Sequence, residues 1–441
     1  MKKLLVLSLA VVMVVAFTLP ASALESVFGG YWRTRAFSQQ NFQGDSDLGR
    51  ETTAAAGAPG DLSRTDTRTR LYYTAVLNDN LKFVNQFEFN AVWGDDEGGD
   101  IGADGDTFRI RSSHVDATMG AIRATIGIQP IEIGRGHIIS DQMSGVILRY
   151  QMGEHLLPFT WFKVNEGFTD TNSEDSDVVG FYPFFNFSDK FSLNPYVVYG
   201  YSNDGDRGAA NAFSTYGQNA GTGPAGFVND DGIGVYWVGA TLNATLGSFN
   251  LWANGTYVGG ELETTVAGVD DVDVAAWVAS FGGNVPLGPA SLHGQFVYAS
   301  GDDDPNDNDY EAYFGVDGAA AGWSYYWAEI MGNGRFDANS PVGTPGGNPS
   351  NVWFGNIGAS MKPMEKLSLT GDLYYAALPE DDANGEDTLG FEVDLVATYQ
   401  LVEGMTIDLV GAYLFADDAV SIDGQNEDDP WEVGTRLQIS F

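Results

Sequence analysis

Pro430-Trp-Glu-Val-Gly-Thr-Arg-Leu-Gln-Ile-Ser-Phe441 is the stretch whose pattern decides the fold. Trp431, Val433, Thr435, Leu437, Ile439 and Phe441 share one parity and are apolar or neutral. Glu432, Gly434, Arg436, Gln438 and Ser440 share the other and are polar or small. Successive side chains of a strand point to opposite faces, so this stretch predicts a strand with one greasy side and one wet side.

Upstream the same pattern repeats in strands of about 9–13 residues. Val27 to Ser38 sets Tyr31, Arg33 and Arg35 opposite Trp32, Thr34 and Ala36, and Asp66 to Asn78 sets Arg68 and Arg70 opposite Leu71 and Tyr73. Short turns fall at Asn78-Asp-Asn80, Met119-Gly120, Gly153-Glu-His155, Ser188-Asp-Lys190, Leu246-Gly-Ser248, Pro286-Leu-Gly288, Met364-Glu-Lys366 and Glu403-Gly404. They alternate with long acidic or Gly-rich segments such as 94–106, 203–231, 301–309 and 417–429. One sheet edge with tight turns and one with long loops predicts an all-β chain: a single transmembrane antiparallel β-barrel with short periplasmic turns and long acidic external loops. Twenty candidate strands can be drawn, the weakest pair being 310–317 and 321–331. With that pair read as an infolded loop the expectation is about 18 strands, within a range of about 16–20. Leu389, Phe391, Val393, Leu395, Ala397 and Tyr399 are assigned to one face of a late strand.

Composition agrees with a barrel wall. There are 27 Phe, 20 Tyr, 10 Trp and 56 Gly, no Cys, and a mean hydropathy of only -0.13. Alternating strands average to near neutrality. Met1-Lys-Lys, an apolar run from Leu4 to Leu19, and Ala21-Ser-Ala23 read as a secretory signal peptide over residues 1–23, which leaves 24–441 as the barrel. Removing Lys2 and Lys3 leaves 19 Lys and Arg against 60 Asp and Glu, a formal charge of -41. Nucleic-acid binding needs basic surface and is excluded on that balance. The absence of Cys rules out disulfides.

The scarce positive charge is concentrated: 12 of those 19 residues fall between 24 and 150. Arg33, Arg35, Arg68, Arg70, Arg123 and Arg149 lie on the polar parity of their strands. An arginine facing lipid at mid-depth costs roughly 2–4 kcal/mol, so these six are expected to line the lumen with Glu88 and to guide solutes. The same arginines could instead pair with Glu88, Asp116 and Glu132 across the lumen and stiffen the barrel. Arg109 and Arg111 share parity with Val115, Ala117 and Met119, so either a bulge intervenes or they sit at the mouth. Pro130 to Gly145 mixes apolar residues with Glu132, Arg135, His137 and Asp141. That mixture marks it as the candidate constriction loop, the alternative being two strands that run on outward.

The final strand resembles the last strand of Gram-negative outer-membrane β-barrels, in which a terminal Phe is part of the signal read by the outer-membrane assembly machinery. The resemblance implies that role for Phe441. Residues 66–151 also resemble the alginate-export-type family of outer-membrane barrels. The likeness lies in Arg68-Thr-Arg-Leu71, Gln86-Phe-Glu88, and Ala124-Thr-Ile-Gly-Ile-Gln129 leading into Gly134-Arg-Gly136. That family conducts an acidic polysaccharide through an arginine-rich lumen. The architecture and an anion-guiding wall are carried over; Ile128, standing where the family usually has an arginine, separates this chain from the polysaccharide ligand.

Asp302, Asp304, Asp307 and Asp309 are oxygen ligands at a spacing Ca²⁺ could use, in a run without the EF-hand glycine. No other cofactor is indicated. His114, His137, His155 and His293 lie in different segments with no Ser-centred or metal-spaced motif, so the chain reads as non-enzymatic. The expected function is that of an outer-membrane porin, a water-filled channel for passive diffusion of small hydrophilic solutes, anionic ones included. The alternatives are a structural barrel that sheathes an export or electron-transfer partner and a Ca²⁺-dependent surface assembly protein. Expected partners are outer-membrane lipids and lipopolysaccharide, the assembly machinery, the solutes themselves, and two further copies in a homotrimer.

Overall fold

A computed structural model describes residues 25–43, 61–94, 106–165, 175–202, 232–263, 267–304, 306–316, 328–332, 334–336, 340–341, 343–344, 349–421, 426 and 428–441. The signal-peptide segment 1–23 lies outside them. The described residues form eighteen wall strands. These are β1 (Glu25–Gln40), β2 (Leu62–Asn78), β3 (Leu81–Val92), β4 (Asp106–Met119), β5 (Ile122–Ile133), β6 (Ile139–Met152) and β7 (His155–Asn165). The next, β8, is broken into Ser176–Phe181 and Phe185–Ser188, and is followed by β9 (Phe191–Ser202), β10 (Gly232–Leu246), β11 (Phe249–Glu263), β12 (Val272–Leu287) and β13 (Ala290–Ala299). The last five are β14 (Val352–Met364), β15 (Leu367–Ala377), β16 (Thr388–Val402), β17 (Met405–Ala416) and β18 (Trp431–Ser440).

Each strand pairs antiparallel with its sequence neighbours, and the sheet closes where β18 meets β1 in the register Tyr31↔Ser440 to Gln40↔Trp431. Phe441 extends that seam: Gly30 N–H donates to its carbonyl at 2.8 Å, and its own N–H donates to Gly30 at 3.1 Å. A closed barrel leaves no unpaired edge, which is the condition for putting strands into hydrocarbon. The eight short connections predicted from sequence are all two-residue turns at one end. The outward face is a belt of large apolar side chains, among them Phe83, Phe108, Leu148, Phe159, Tyr236, Phe281 and Leu395. Such a face is stable against lipid and would not be against water.

Inside, the barrel departs from simple alternation. The described parts of the segment between β13 and β14 make no wall strand; Asp309–Tyr310 is a two-residue strand laid parallel to β12. Tyr313, Phe314, Val316, Ile330 and Met331 of this segment are buried against inward-facing Trp237, Val258, Val278, Val297 and Phe354. The pair 310–317 and 321–331 is therefore infolded loop where it is described. The lumen consequently has a dry side in the loop-end half of β9–β16, where inward Val235, Trp237, Val274, Val278 and Phe354 pack on the infolded segment, and a wet side on β18 and β1–β6.

Two local assignments are settled by bulges. Gln86 pairs with Ser112 and Phe87 with Ile110, so Arg111 is an extra residue in β4 and turns inward with its neighbour. Beyond the bulge Phe108 and Ile110 face lipid, and Arg109 has the inward parity opposite Glu88. The late-strand face also needs correction. The register shifts between Ala376 and Ala377 at Gly390, and Leu389 is buried inside the barrel while Phe391 and Leu395 face outward.

Candidate pore and its constriction

The wet wall is built by register. Arg33 lies opposite Arg68 across β1 and β2, Arg35 opposite Arg436 across β1 and β18, and Arg123 opposite Arg149 across β5 and β6. Arg35 makes a bidentate pair with Asp66 at 2.8 and 2.5 Å, with Arg64 at 3.3 Å from the same carboxylate. Glu88, fully buried, is shared by Arg70 at 2.6 Å, Arg111 at 3.4 Å and Arg68 at 3.6 Å. Arg68 Nε also donates to Asn90 Oδ1 at 2.5 Å. Lower down, Arg123 chelates Asp116 at 2.9 and 2.7 Å, and Arg149 donates to Thr125 at 2.9 Å. Arg436, on the polar parity of β18 but not singled out above, pairs with Asp408 at 2.9 Å.

These ion pairs join adjacent strands, so the expected bracing across the lumen is not what holds Glu88 and Asp116. Their stoichiometry matters more than their geometry. In the ion-pair clusters of β1–β6, six arginines (35, 64, 68, 70, 111 and 123) share three carboxylates, Asp66, Glu88 and Asp116, and Arg33 and Arg149 stand beside them, while Glu132 and Asp141 belong to the infolded hairpin. Arg33 is buried between Arg35 and Arg68, and its Nε and Nη2 have no acceptor among the described residues.

The candidate constriction is a hairpin that leaves the wall. Pairing of β4 with β5 stops at Ser113↔Ile128, and pairing of β6 with β7 starts at Ser144↔Lys163. From Gln129↔Met143 to Ile133↔Ile139 the two strands pair only with each other. Gly127 and Gly145 face each other at the departure point; a Cβ on Gly127, whose φ is +127°, would come within 2.3 Å of Ser113 O. The strands do run on past the wall, as the alternative held, but they run into the lumen.

The tip is a tight turn, Gly134–Gly136, with Arg135 at φ 57°. The Arg135 guanidinium carbon sits 3.7 Å from the ring centre of Trp252 on β11. His137 is buried and its Nε2 lies 2.8 Å from Ser280 Oγ on β12. Tyr313 OH donates to His137 O at 3.2 Å, and Val316 N–H donates to Ile138 O at 2.8 Å, so the hairpin and the β13–β14 segment lock together. Glu132 and Arg135 line a cavity of about 280 Å³ with Tyr182 and Tyr196. Asp141 is exposed near the start of β6 and, among the described residues, accepts the N–H of Gln142, so it stands apart from the other three.

The β13–β14 segment is pinned on its far side. Glu392 of β16 accepts the backbone N–H groups of Ile330 at 2.7 Å and Met331 at 2.8 Å, and Asp394 accepts that of Glu329 at 3.1 Å. Phe336 stacks on Phe37 of β1 at 4.7 Å. No signal in the sequence marked Glu392 as an anchor, because its backbone partners lie about 62 residues away.

The acidic run after β13 does not gather round a point. Asp304 accepts the N–H of Asn306 and Asp307 that of Asp309, which are local turn bonds. Among the described residues no group of three or more His, Asp or Glu side chains is arranged to hold a metal ion. The four histidines remain apart; His293 pairs with the Asp372 carboxylate at 2.7 Å.

No family model matches the sequence, and no curated protein matches it. Among solved structures the chain is similar to a BenF-like porin from Pseudomonas fluorescens Pf-5 at 11% identity, covering 95% of this chain and 99% of that one with a TM-score of 0.56. It is similar to Pseudomonas aeruginosa OpdK with vanillate at 9% identity, over 95% and 98% of the two chains, TM-score 0.58. Acinetobacter baumannii OccAB1 is similar at 11% identity over 94% and 96%, TM-score 0.56. At these identities the likeness is one of fold: the chain has the porin barrel. These structures lend no support to the alginate-export-type likeness of residues 66–151.

Proposed function

We propose that this barrel is an outer-membrane porin, a passive water-filled channel for small hydrophilic solutes, with its path along the arginine wall. The observation that carries the reading is the arginine excess in the ion-pair clusters of the wet wall, where Glu88 serves three guanidiniums and Arg33 Nε and Nη2 have no acceptor among the described residues. Unneutralised positive charge in a narrow lumen with low-dielectric walls concentrates anions. The two infolded segments supply the narrowing and fill the dry side, which is the space an export or electron-transfer partner would need. The similar OpdK structure holds vanillate, an anionic aromatic, and a small organic anion is the solute class we favour for Arg33, Arg68 and Arg70.

In this reading outer-membrane lipid and lipopolysaccharide surround the belt, and Phe441, exposed at the turn end of the barrel, is the residue offered to the assembly machinery. An acidic polysaccharide is disfavoured because the Arg135 tip and the β13–β14 segment cross the lumen. The test is single-channel recording of the purified barrel in a planar bilayer. Stable conductance supports the reading, and a folded barrel that conducts nothing would sink it.

A further inference from the structure

Opposite the arginine wall, the turn-end half of the lumen is lined by amides and hydroxyls. Inward positions of β9–β12 there are Ser192, Asn243, Thr245, Asn250 and Asn284, with Trp252 above them. They line a cavity of about 550 Å³ whose formal charges, Glu154, Asp189 and Lys190, are confined to the turns. It adjoins a second cavity of about 350 Å³ through Trp252 and Asn284, where Asn356 and Gln295 continue the amide lining beside His293, Asp372 and Arg335.

The amides hold one another in a chain without using up their capacity. Thr245 Oγ1 donates to Asn250 Oδ1 at 3.2 Å, Asn250 Nδ2 donates to Asn284 Oδ1 at 2.9 Å, and Asn243 Nδ2 donates to Ser192 Oγ at 3.4 Å. Among the described residues this leaves the Asn284 NH₂ without an acceptor and Asn243 Oδ1 without a donor. An amide offers two donors and a two-lone-pair acceptor, so the chain is oriented yet presents both kinds of partner to whatever fills the cavity. A solute hydroxyl needs both when it sheds water, because an unpaired polar group in a confined site is costly.

We propose that this amide track is a subsite for neutral polyhydroxylated solutes, of the mono- or disaccharide class, in addition to the anion path on the facing wall. The inference rests on the porin reading. Its test is entry of glucose into liposomes carrying the channel, for the wild type and for Asn243→Leu, Asn250→Leu and Asn284→Leu singly and together. Leucine keeps the branched heavy-atom skeleton of asparagine and removes every donor and acceptor, and because its methyl groups are bulkier, salt conductance is the control for the bore. A several-fold slower entry of glucose, with salt conductance and reversal potential unchanged, is the expected result. Unchanged glucose entry, or a parallel loss of glucose and ion flux, would overturn the subsite while leaving the porin standing. Channels that conduct no ions at all would overturn the porin reading itself, and the subsite with it. Should the triple variant not fold, the wild type still decides. A disaccharide added to a planar bilayer is expected to raise current noise above that from a polyethylene glycol of like mass, which has ether acceptors but almost no donors. Equal noise from the two would overturn the proposal.

Discussion

Arg135 and Trp252 meet face to face across the lumen, guanidinium carbon to ring centre 3.7 Å, although one is at the tip of the β5–β6 hairpin and the other is in β11. A cation on an indole face away from bulk water is worth about 2 kcal/mol. The contact ties the infolded hairpin to the far wall.

Arg135→Ala or Trp252→Ala should therefore loosen the tip without harming the wall. Larger mean conductance and added open-channel noise are expected, with heat resistance of the barrel nearly unchanged. Conductance indistinguishable from wild type in both variants would mean that the tip does not bound the path.

Glu392→Ala removes the acceptor for two buried backbone N–H groups, those of Ile330 and Met331. Leaving them unmet costs about 1–3 kcal/mol each, so the 328–336 segment should detach from β16. Hydrogen exchange at Ile330 and Met331, slow in the wild type, should become fast; retained protection would show that apolar packing of Met331 suffices alone. Glu392→Gln should give an intermediate result, since its NH₂ must oppose one of the two donors.

Arg33→Met should not destabilise the barrel and should raise its unfolding temperature. A buried guanidinium with no acceptor at Nε or Nη2, beside Arg35 and Arg68, costs on the order of 1 kcal/mol or more, which a methionine of similar length avoids. A clear drop in unfolding temperature would show that the Arg33 guanidinium stabilises the wall.

Outside the wall, partial burial together with Asp307 and Glu311 nearby pushes the Asp302 carboxyl up to about 6. A raised acid favours the protonated loop, so its contribution is fully present below the ordinary carboxylate value near 3.8 and is lost as pH rises through about 6. Local hydrogen exchange around 302–304 should accelerate over that window in the wild type and stay flat in Asp302→Asn. The same acceleration in the variant would assign the effect to another acid.

The parity of the sequence sufficed for the wall, because a strand facing lipid must be apolar on every second residue; β18, β1 and β2 are legible on that ground alone. It also placed Arg33, Arg68 and Arg149 inside. What it lacked was the dry side. Val235 and Trp237 in β10, or Val274 and Val278 in β12, are as apolar as their outward neighbours, and only the infolded Tyr313, Phe314 and Val316 explain them. Periodicity cannot tell which of two apolar faces meets lipid. Bulges were equally hidden: the extra residue at Arg111 exists only relative to the register of β3, and Leu389 reads as outward until Gly390 shifts the strand. The hairpin 129–143 was marked by composition, but its direction depends on Gly127 and Gly145 facing one another in space.

The arginine wall as solute guide is tested most directly by reversal potential under a salt gradient, comparing wild type with Arg33→Gln/Arg68→Gln. Both changes leave the bidentate Arg35–Asp66 and Arg123–Asp116 pairs intact while removing two facing charges of the β1–β2 wall. Anion selectivity in the wild type that falls toward zero in the double variant is the predicted result. A cation-selective wild type, or an anion selectivity untouched by the two substitutions, would contradict it.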